Sequence, residues 1–175
     1  MKNRYEIIED TVMIYLPRSR GSDIVTLIDV DALPIVHAHE GTWFPYYNRT
    51  SHSYYVKTNT SKRARVEGPK SIRMHRIIMN APKGMFVDHI NHDTLDNRRS
   101  NLRIVTLAEN QQNRKGAQRN NKGSGIRGVY PHQGKWVAAI HINGRKKYLG
   151  IFNDIEDAAV CSEQARQRYM PFSLN

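Results

Sequence analysis

Residues 85–113 decide the central fold. In this stretch Met85 to Val87 are followed directly by Asp88-His89-Ile90-Asn91-His92, and further along by Asn101-Leu102-Arg103-Ile104-Val105. The apolar run before Asp88 and the alternating run from Leu102 are typical of short strands, and the residues between them are polar. Thr106, with Glu109 three residues on, is a capping-box pattern that predicts a helix directly after the second strand. The predicted order is strand, loop, strand, helix.

An aspartate beside a histidine can divide the work of phosphodiester hydrolysis. Asp88 can hold a divalent metal on the scissile phosphate while neutral His89 takes a proton from water. Successive strand residues point to opposite faces, so the two share a site only if the strand ends or twists there. Asn110 and Asn113, three residues apart, lie on one face of the predicted helix.

These segments together resemble the HNH (His-Asn-His) nucleases, in which a helix packs on a hairpin in the ββα-metal fold and closes one metal site. The resemblance implies that Asp88 and Asn110 are metal ligands and that His89 is the general base. It also implies that Asn101 ties the loop and orients the histidine. Asn113, one turn further along the helix, is the alternative ligand.

The spacing suits the phage-type form of this family, with 12 residues from His89 to Asn101 and 9 from Asn101 to Asn110. An asparagine stands where many members have their last histidine. Oxygen donors favour magnesium or manganese over zinc, so we expect one Mg²⁺ or Mn²⁺. We expect His92 to be a surface or phosphate-contacting residue rather than a ligand.

Charge points to a polyanionic partner, which we take to be double-stranded DNA. The chain holds 27 Lys and Arg against 16 Asp and Glu, for a formal charge of +11. Residues 114–150 hold nine basic residues and no acidic one, and residues 54–87 hold eight basic and one acidic. The basic residues thus flank the predicted active site, and Lys57, Lys62, Arg63 and Arg65 are candidates to follow the DNA backbone.

Other classes of protein are disfavoured. No stretch approaches the roughly 18 apolar residues of a membrane span, and the N-terminus lacks an apolar signal segment, so we expect a cytoplasmic protein, in the host cell if phage-encoded. A lone cysteine, Cys161, excludes a disulfide framework and a Cys-rich zinc site. No obligate protein partner is evident, and we expect a monomer.

The C-terminal third predicts a three-stranded antiparallel sheet followed by a helix. The strand candidates are 126–130, 135–142 and 146–151, and Asn143-Gly144 is a strong hairpin-turn signal between the last two. Asn153, with Glu156 three residues on, opens a helix whose apolar stripe is made of small residues.

Residues 123–175 resemble the apetala-type (ethylene-response-factor) DNA-binding domain, which lays its sheet in the major groove. The shared pattern is Arg-Gly-Val-Tyr, Lys-Trp-Val-Ala and Leu-Gly-Ile-Phe. For Trp136, packing in the small core and contact with DNA are equally favoured. The resemblance implies that the residues facing DNA are Arg127, Lys135, Trp136, Arg145 and Lys147, and we add Arg98, Arg114 and Lys115 as further DNA contacts.

The expected fold class is α+β, in four parts. These are a β-rich N-terminal region (1–70), an HNH core (71–113), a basic linker (114–122) and a DNA-binding domain (123–175). The resulting hypothesis is a metal-dependent endonuclease of the phage or homing type that cuts duplex DNA. The alternatives are a non-catalytic DNA-binding regulator that keeps the HNH unit as a scaffold, and an enzyme that degrades RNA or DNA without specificity.

Overall fold

The computed structural model describes residues 1–60, 71–118, 121–142 and 144–173, and it divides into two units, residues 1–106 and 107–175. Both units combine small antiparallel sheets with a few helices. Lys62, Arg63 and Arg65, and the turn residue Asn143, lie outside the described residues. Each unit is described by itself below.

The N-terminal unit contains three small sheets with the strand orders β1-β2-β3, β4-β5-β6 and β7-β8. All the pairings within these sheets are antiparallel. Short 3-10 turns occur at Val30–Ala32 and Arg99–Asn101. The strands and helices of this unit are β1 (Tyr5–Ile8), β2 (Thr11–Leu16), β3 (Ile24–Asp29), α1 (Leu33–His37), β4 (Phe44–Asn48), β5 (Ser53–Asn59), β6 (Ser71–Arg73), α2 (Met74–Ile78), β7 (Phe86–His89) and β8 (Leu102–Val105).

The core of the N-terminal unit lies where α2 meets the first two sheets. Strand β2 alternates strictly between buried and partly exposed residues, as a strand with one face in a core must. Its buried residues pack in one cluster with Trp43 of the loop before β4 and with Met74 and Ile78 of α2. Leu102 of β8 belongs to the same cluster. The β7–β8 hairpin is therefore anchored on the core of the N-terminal sheets.

The C-terminal unit is one sheet of order β11-β10-β9 covered by a long helix. Gly128 adopts φ 80°, and a Cβ there would approach the Ala139 carbonyl oxygen to 2.8 Å, so this position needs glycine. Asp154 caps the long helix by accepting a 2.6 Å hydrogen bond from the Glu156 backbone N–H. The elements are α3 (Leu107–Gln112), β9 (Val129–His132), β10 (Lys135–Ile142), β11 (Arg145–Phe152) and α4 (Ile155–Tyr169).

The predicted elements are present, with small shifts. The second strand of the hairpin has the predicted bounds, and a helix begins directly after Thr106. The first strand extends to His89, because that residue pairs with Leu102. The N-terminal region is β-rich, as expected, and α4 begins one residue later than an Asn153 cap would place it. In the described part of the chain, no helix is long and apolar enough to cross a membrane.

Candidate active site

The loop between β7 and β8 is held by hydrogen bonds from asparagine and aspartate side chains. Asn101 accepts from the Asn91 backbone N–H at 2.9 Å and donates to the Asp96 carbonyl at 2.8 Å, so it closes the loop from both sides. Asn91 in turn accepts from the Asp93 backbone N–H at 2.8 Å. The predicted role of Asn101 in tying the loop matches these contacts.

Asp88 and Arg103 are direct partners across the hairpin. Arg103 donates from Nε (2.9 Å) and from a terminal nitrogen (2.8 Å), and both bonds fall on Oδ2 of Asp88. The aspartate side chain is only 11% exposed and that of the arginine 21%, so the pair is partly shielded from water. Asp88 thus stands at the site with a cation already against one of its two oxygens.

His89, the next residue, points into the unit and is 4% exposed. Its Nε2 lies 3.1 Å from Oδ1 of Asn97, which is completely buried. The bond to the ring is therefore made by Asn97, whereas Asn101 was the residue predicted to orient the histidine. The sequence signal that could have identified Asn97 is the Asp-Asn pair at 96–97 inside a polar loop.

Two further rings enclose His89. The ring of His75, on α2, meets that of His89 edge to face with centroids 5.1 Å apart, and the Tyr55 ring lies 6.1 Å away. Burial lowers the pKa of His75 to about 3, and the neighbouring His89, Arg73 and Arg76 add to that shift. Burial also lowers the pKa of His89, against the opposing effect of its hydrogen bond to Asn97 and of nearby carboxylates. Among the described residues, Nδ1 of His75 is a buried atom without a hydrogen-bond partner. His75 is thus a packing residue, and both rings are neutral near pH 7.

Arg98, which we predicted to contact DNA, braces the loop. Its guanidinium grips the Asp96 carboxylate with two 2.8 Å bonds, and this bonding lowers the pKa of Asp96. The side chain of Asp96 is nearly buried, whereas that of Arg98 is 38% exposed. The loop between Asn91 and Asn101 is therefore crosslinked along its whole length.

The helical asparagines belong to the C-terminal unit. Asn110 lies within α3 and is partly exposed, and Asn113 follows the helix and is 3% exposed. No group of three or more His, Cys, Asp or Glu side chains in the described ranges is arranged to hold a metal. The joint ligation of one metal by Asp88 and a helical asparagine stays a prediction.

Known proteins are similar to this chain over the region that contains the β7–β8 hairpin. The HNH endonuclease family matches residues 74–112, which run from α2 through the hairpin to the end of α3. An uncharacterized HNH endonuclease of Acanthamoeba polyphaga mimivirus is 30% identical over 168 residues, which cover 93% of this chain and 75% of the viral protein. This chain belongs to the HNH endonuclease family. No solved structure matches it significantly.

HNH nucleases generally use a divalent metal ion, and the candidate donors in this one are of a suitable kind. Asp88 offers a carboxylate, and Asn110 or Asn113 offers an amide oxygen. These are the hard donors that Mg²⁺ and Mn²⁺ prefer. The two bonds that Arg103 donates to Asp88 fall on Oδ2, so the arginine would compete with a metal ion for that oxygen. The donor atoms are of a kind that suits a divalent ion, which would share Asp88 with the arginine or displace it.

The C-terminal sheet of this HNH protein has two different faces. Ala138 and Ile140 of β10 pack against Ala158 and Ala165 of α4, so the even-numbered residues of β10 face the helix. The cross-strand partners of the odd-numbered residues share the other face. That face is called the exposed face here because most of its side chains are exposed, although Val137 and Ala139 in its middle are buried. Its other members are Tyr130, His132, Lys135, His141, Lys146, Tyr148 and Ile151.

This pairing places the residues that we predicted to face DNA on both faces of the sheet. Lys135 is on the exposed face, as expected. Trp136 packs against the helix-side cluster, and Lys147 places its Nζ 3.8 Å from the Tyr169 ring of α4. Arg145 pairs with Ile142 on the helix side. The prediction chose basic side chains without the strand register, so it did not assign them to a face, and which of them contact DNA stays a prediction.

Arg127 is also placed away from the exposed face. Its guanidinium donates to the Arg114 carbonyl at 2.9 Å and to the Ser173 hydroxyl at 3.4 Å. Burial, together with the nearby Arg166 and Arg114, lowers the pKa of Arg127 to about 10. Its polar contacts thus join the segment before β9 to the end of the chain. The side chains of Arg114 and Lys115 lie at exposed positions.

Proposed function

We propose that this protein is a metal-dependent endonuclease that cuts duplex DNA, of the phage or homing type, with a cutting module at 71–113 and a reading module at 123–175. The observation that carries the proposal is the buried His89, hydrogen-bonded to Asn97 at the end of β7, directly after Asp88. A scaffold has no need of a buried neutral base next to a carboxylate. Membership of the HNH endonuclease family supports the nuclease activity.

In this proposal His89 is the general base. It takes the proton from the attacking water, and Asn97 holds the ring so that its other nitrogen can do so. A divalent ion bound by Asp88 and Asn110 would stabilise the charge that develops on the scissile phosphate. The burial that keeps His89 neutral also keeps its lone pair available at physiological pH.

The reading module would bind DNA through the exposed face of its sheet. A sheet in the major groove is a known docking mode, and Lys135 and Lys146 supply cations there. Lys146 is held in place, because its Nζ donates to the Tyr130 hydroxyl at 2.7 Å and lies 4.4 Å from the centre of that ring. Tyr148, 59% exposed, is the largest uncovered ring on this face.

A non-catalytic DNA-binding regulator is the second candidate, and the Asp88–Arg103 pair favours it, since an arginine neutralises the expected metal ligand. A digest separates the candidates. Supercoiled duplex DNA, linear duplex DNA and RNA of matched length are incubated with the full chain and Mg²⁺, and parallel samples contain a chelator. The proposal expects metal-dependent cutting of the duplexes and little cutting of the RNA. Binding without cutting would favour the regulator, and equal cutting of RNA and DNA would favour a nonspecific degrading enzyme.

A further inference from the structure

Strand β3, at the edge of the β1-β2-β3 sheet, runs beside the loop between β7 and β8, which is called the catalytic loop here. The Leu27 backbone donates to the Leu95 carbonyl at 2.9 Å and accepts from the Asn97 backbone N–H at 2.8 Å. Leu27 and Asp96 form an isolated parallel bridge. Strand β3 lies outside the segment that matches the family, residues 74–112. It hydrogen-bonds to the loop that carries Asn97, the partner of His89.

Thr26, the neighbour of Leu27 on β3, is completely buried and uses its hydroxyl in both directions. The hydroxyl donates to the Leu95 carbonyl at 2.6 Å. Its single hydrogen is thereby occupied, so its oxygen is the acceptor of the 2.8 Å bond from Nδ2 of Asn97. The amide NH₂ of Asn97 is in this way directed at Thr26.

An amide that points its nitrogen at Thr26 points its oxygen the other way, toward Nε2 of His89 at 3.1 Å. A carbonyl oxygen can only accept, so Nε2 must carry the hydrogen of this bond. A neutral imidazole has one N–H, and its other nitrogen then bears the lone pair. The reverse orientation of the amide would put an NH₂ group against Nε2 and would move the hydrogen to Nδ1.

We propose that Thr26 is a positioning residue of the nuclease: through Asn97 it holds His89 in the tautomer with hydrogen on Nε2, which leaves Nδ1 to accept the proton of the attacking water. The proposal rests on the proposed function for the role of His89, but the tautomer itself can be measured without activity. It also assigns a task to the N-terminal sheet, which contributes a hydroxyl 71 residues before Asn97.

The test uses four variants of the full chain. Thr26→Val removes the hydroxyl at nearly constant volume, and Thr26→Ser restores it. Thr58→Val is the matched control, because Thr58 is also buried in the N-terminal unit and donates to a carbonyl, that of Thr42 at 3.0 Å, away from the catalytic loop. Nitrogen NMR of ¹⁵N-histidine-labelled protein near pH 7.5 reports which ring nitrogen carries hydrogen, and His89→Gln identifies the His89 signals among the eight histidines.

In the parent chain we expect His89 to carry its hydrogen on Nε2 and none on Nδ1. Thr26→Val should mix in the other tautomer and lower kcat by about 5- to 100-fold, the range expected when a buried hydrogen bond is lost, with KM for DNA changed by less than about twofold. Thr26→Ser should restore both readouts. Thr58→Val should lower the unfolding temperature but leave the tautomer and kcat unchanged.

Hydrogen on Nδ1 in the parent chain would overturn the proposal, and so would a Thr26→Val protein with unchanged tautomer and kcat. Should Thr26→Val fail to fold, the parent chain and Thr26→Ser still test the proposal, because both must carry the hydrogen of His89 on Nε2. A parent chain with the expected tautomer but without any cleavage of DNA would refute the nuclease function while leaving the hydrogen-bond chain intact.

Discussion

Lys146 and Lys147 are adjacent lysines on opposite faces of one strand, and they test which face of the C-terminal sheet binds DNA. Each substitution by alanine removes one positive charge, so any effect of net charge is the same for both. Lys146 pairs with His141 on the exposed face, whereas Lys147 lies over Tyr169 on the helix side. We expect only Lys146→Ala to weaken DNA binding.

The size of the effect follows from counterion release. Each neutralised phosphate contributes about 0.9 to the slope of log affinity against log salt, so loss of one contact flattens the slope by about 0.9 and lowers affinity by roughly eightfold near 0.1 M salt. Lys147→Ala should stay within about twofold at every salt concentration. The same labelled duplex is titrated with both variants and the parent at several salt concentrations, by fluorescence anisotropy.

Equal losses for the two lysines would mean that binding follows charge and not face. A loss confined to Lys147→Ala would place DNA on the helix side and would refute the assignment from the strand register.

Two further predictions concern the effect of His75 on stability and the predicted metal ligands. Because burial lowers the pKa of His75 from 6.5 to about 3, the unfolded chain binds a proton that the folded chain does not over that interval; stability should therefore fall by about 1 kcal/mol per pH unit as pH drops below 6. Urea unfolding at pH 7 and pH 5 should show a weaker pH dependence in His75→Phe, and an unchanged dependence would mean that this ring is protonated in the fold. Asp88→Ala and Asn110→Ala should each raise the Mg²⁺ concentration for half-maximal cleavage, whereas Asn113→Ala should not. A silent Asn110→Ala with a metal-dependent defect in Asn113→Ala would move the ligand by one helical turn.

Local pattern was sufficient to predict the β7–β8 hairpin and the helix after it. The alternation of β8, the polar loop and the helix start after Thr106 are all short-range signals, and the structure has each of them at or within two residues of the predicted place. The family resemblance read from the same residues is confirmed by the match over 74–112 and by the viral relative.

The contact that orients the histidine could not be read in this way. Asn97 is buried because β3, far away in sequence, runs beside its loop, and its side chain is directed by Thr26. In sequence Asn97 is only one of several asparagines in a polar loop. Selecting it over Asn101 requires the non-local pairing that only the folded chain provides.

The two faces of the C-terminal sheet could not be distinguished from the sequence, for a related reason. On β11 the exposed face carries Tyr148 and Ile151, which are 59% and 45% exposed, so hydrophobicity does not mark the inner side. The register also shifts between Ala138 and Ala139. Without that register, the adjacent lysines on β11 cannot be assigned to a face, because basic character alone does not distinguish them.

Whether His89 is the general base is decided by comparing cleavage of duplex DNA by the parent chain and by His89→Ala in the presence of Mg²⁺. We expect the parent to cut, and the variant to bind the same duplex nearly as tightly. We expect the variant to cut about 100 to 10,000 times more slowly, because it lacks the general base. Turnover and affinity are measured on one preparation of each protein, with unfolding curves to establish that both are folded. A folded His89→Ala protein that cuts within about threefold of the parent would contradict the account, because His89 would then have no part in the chemistry.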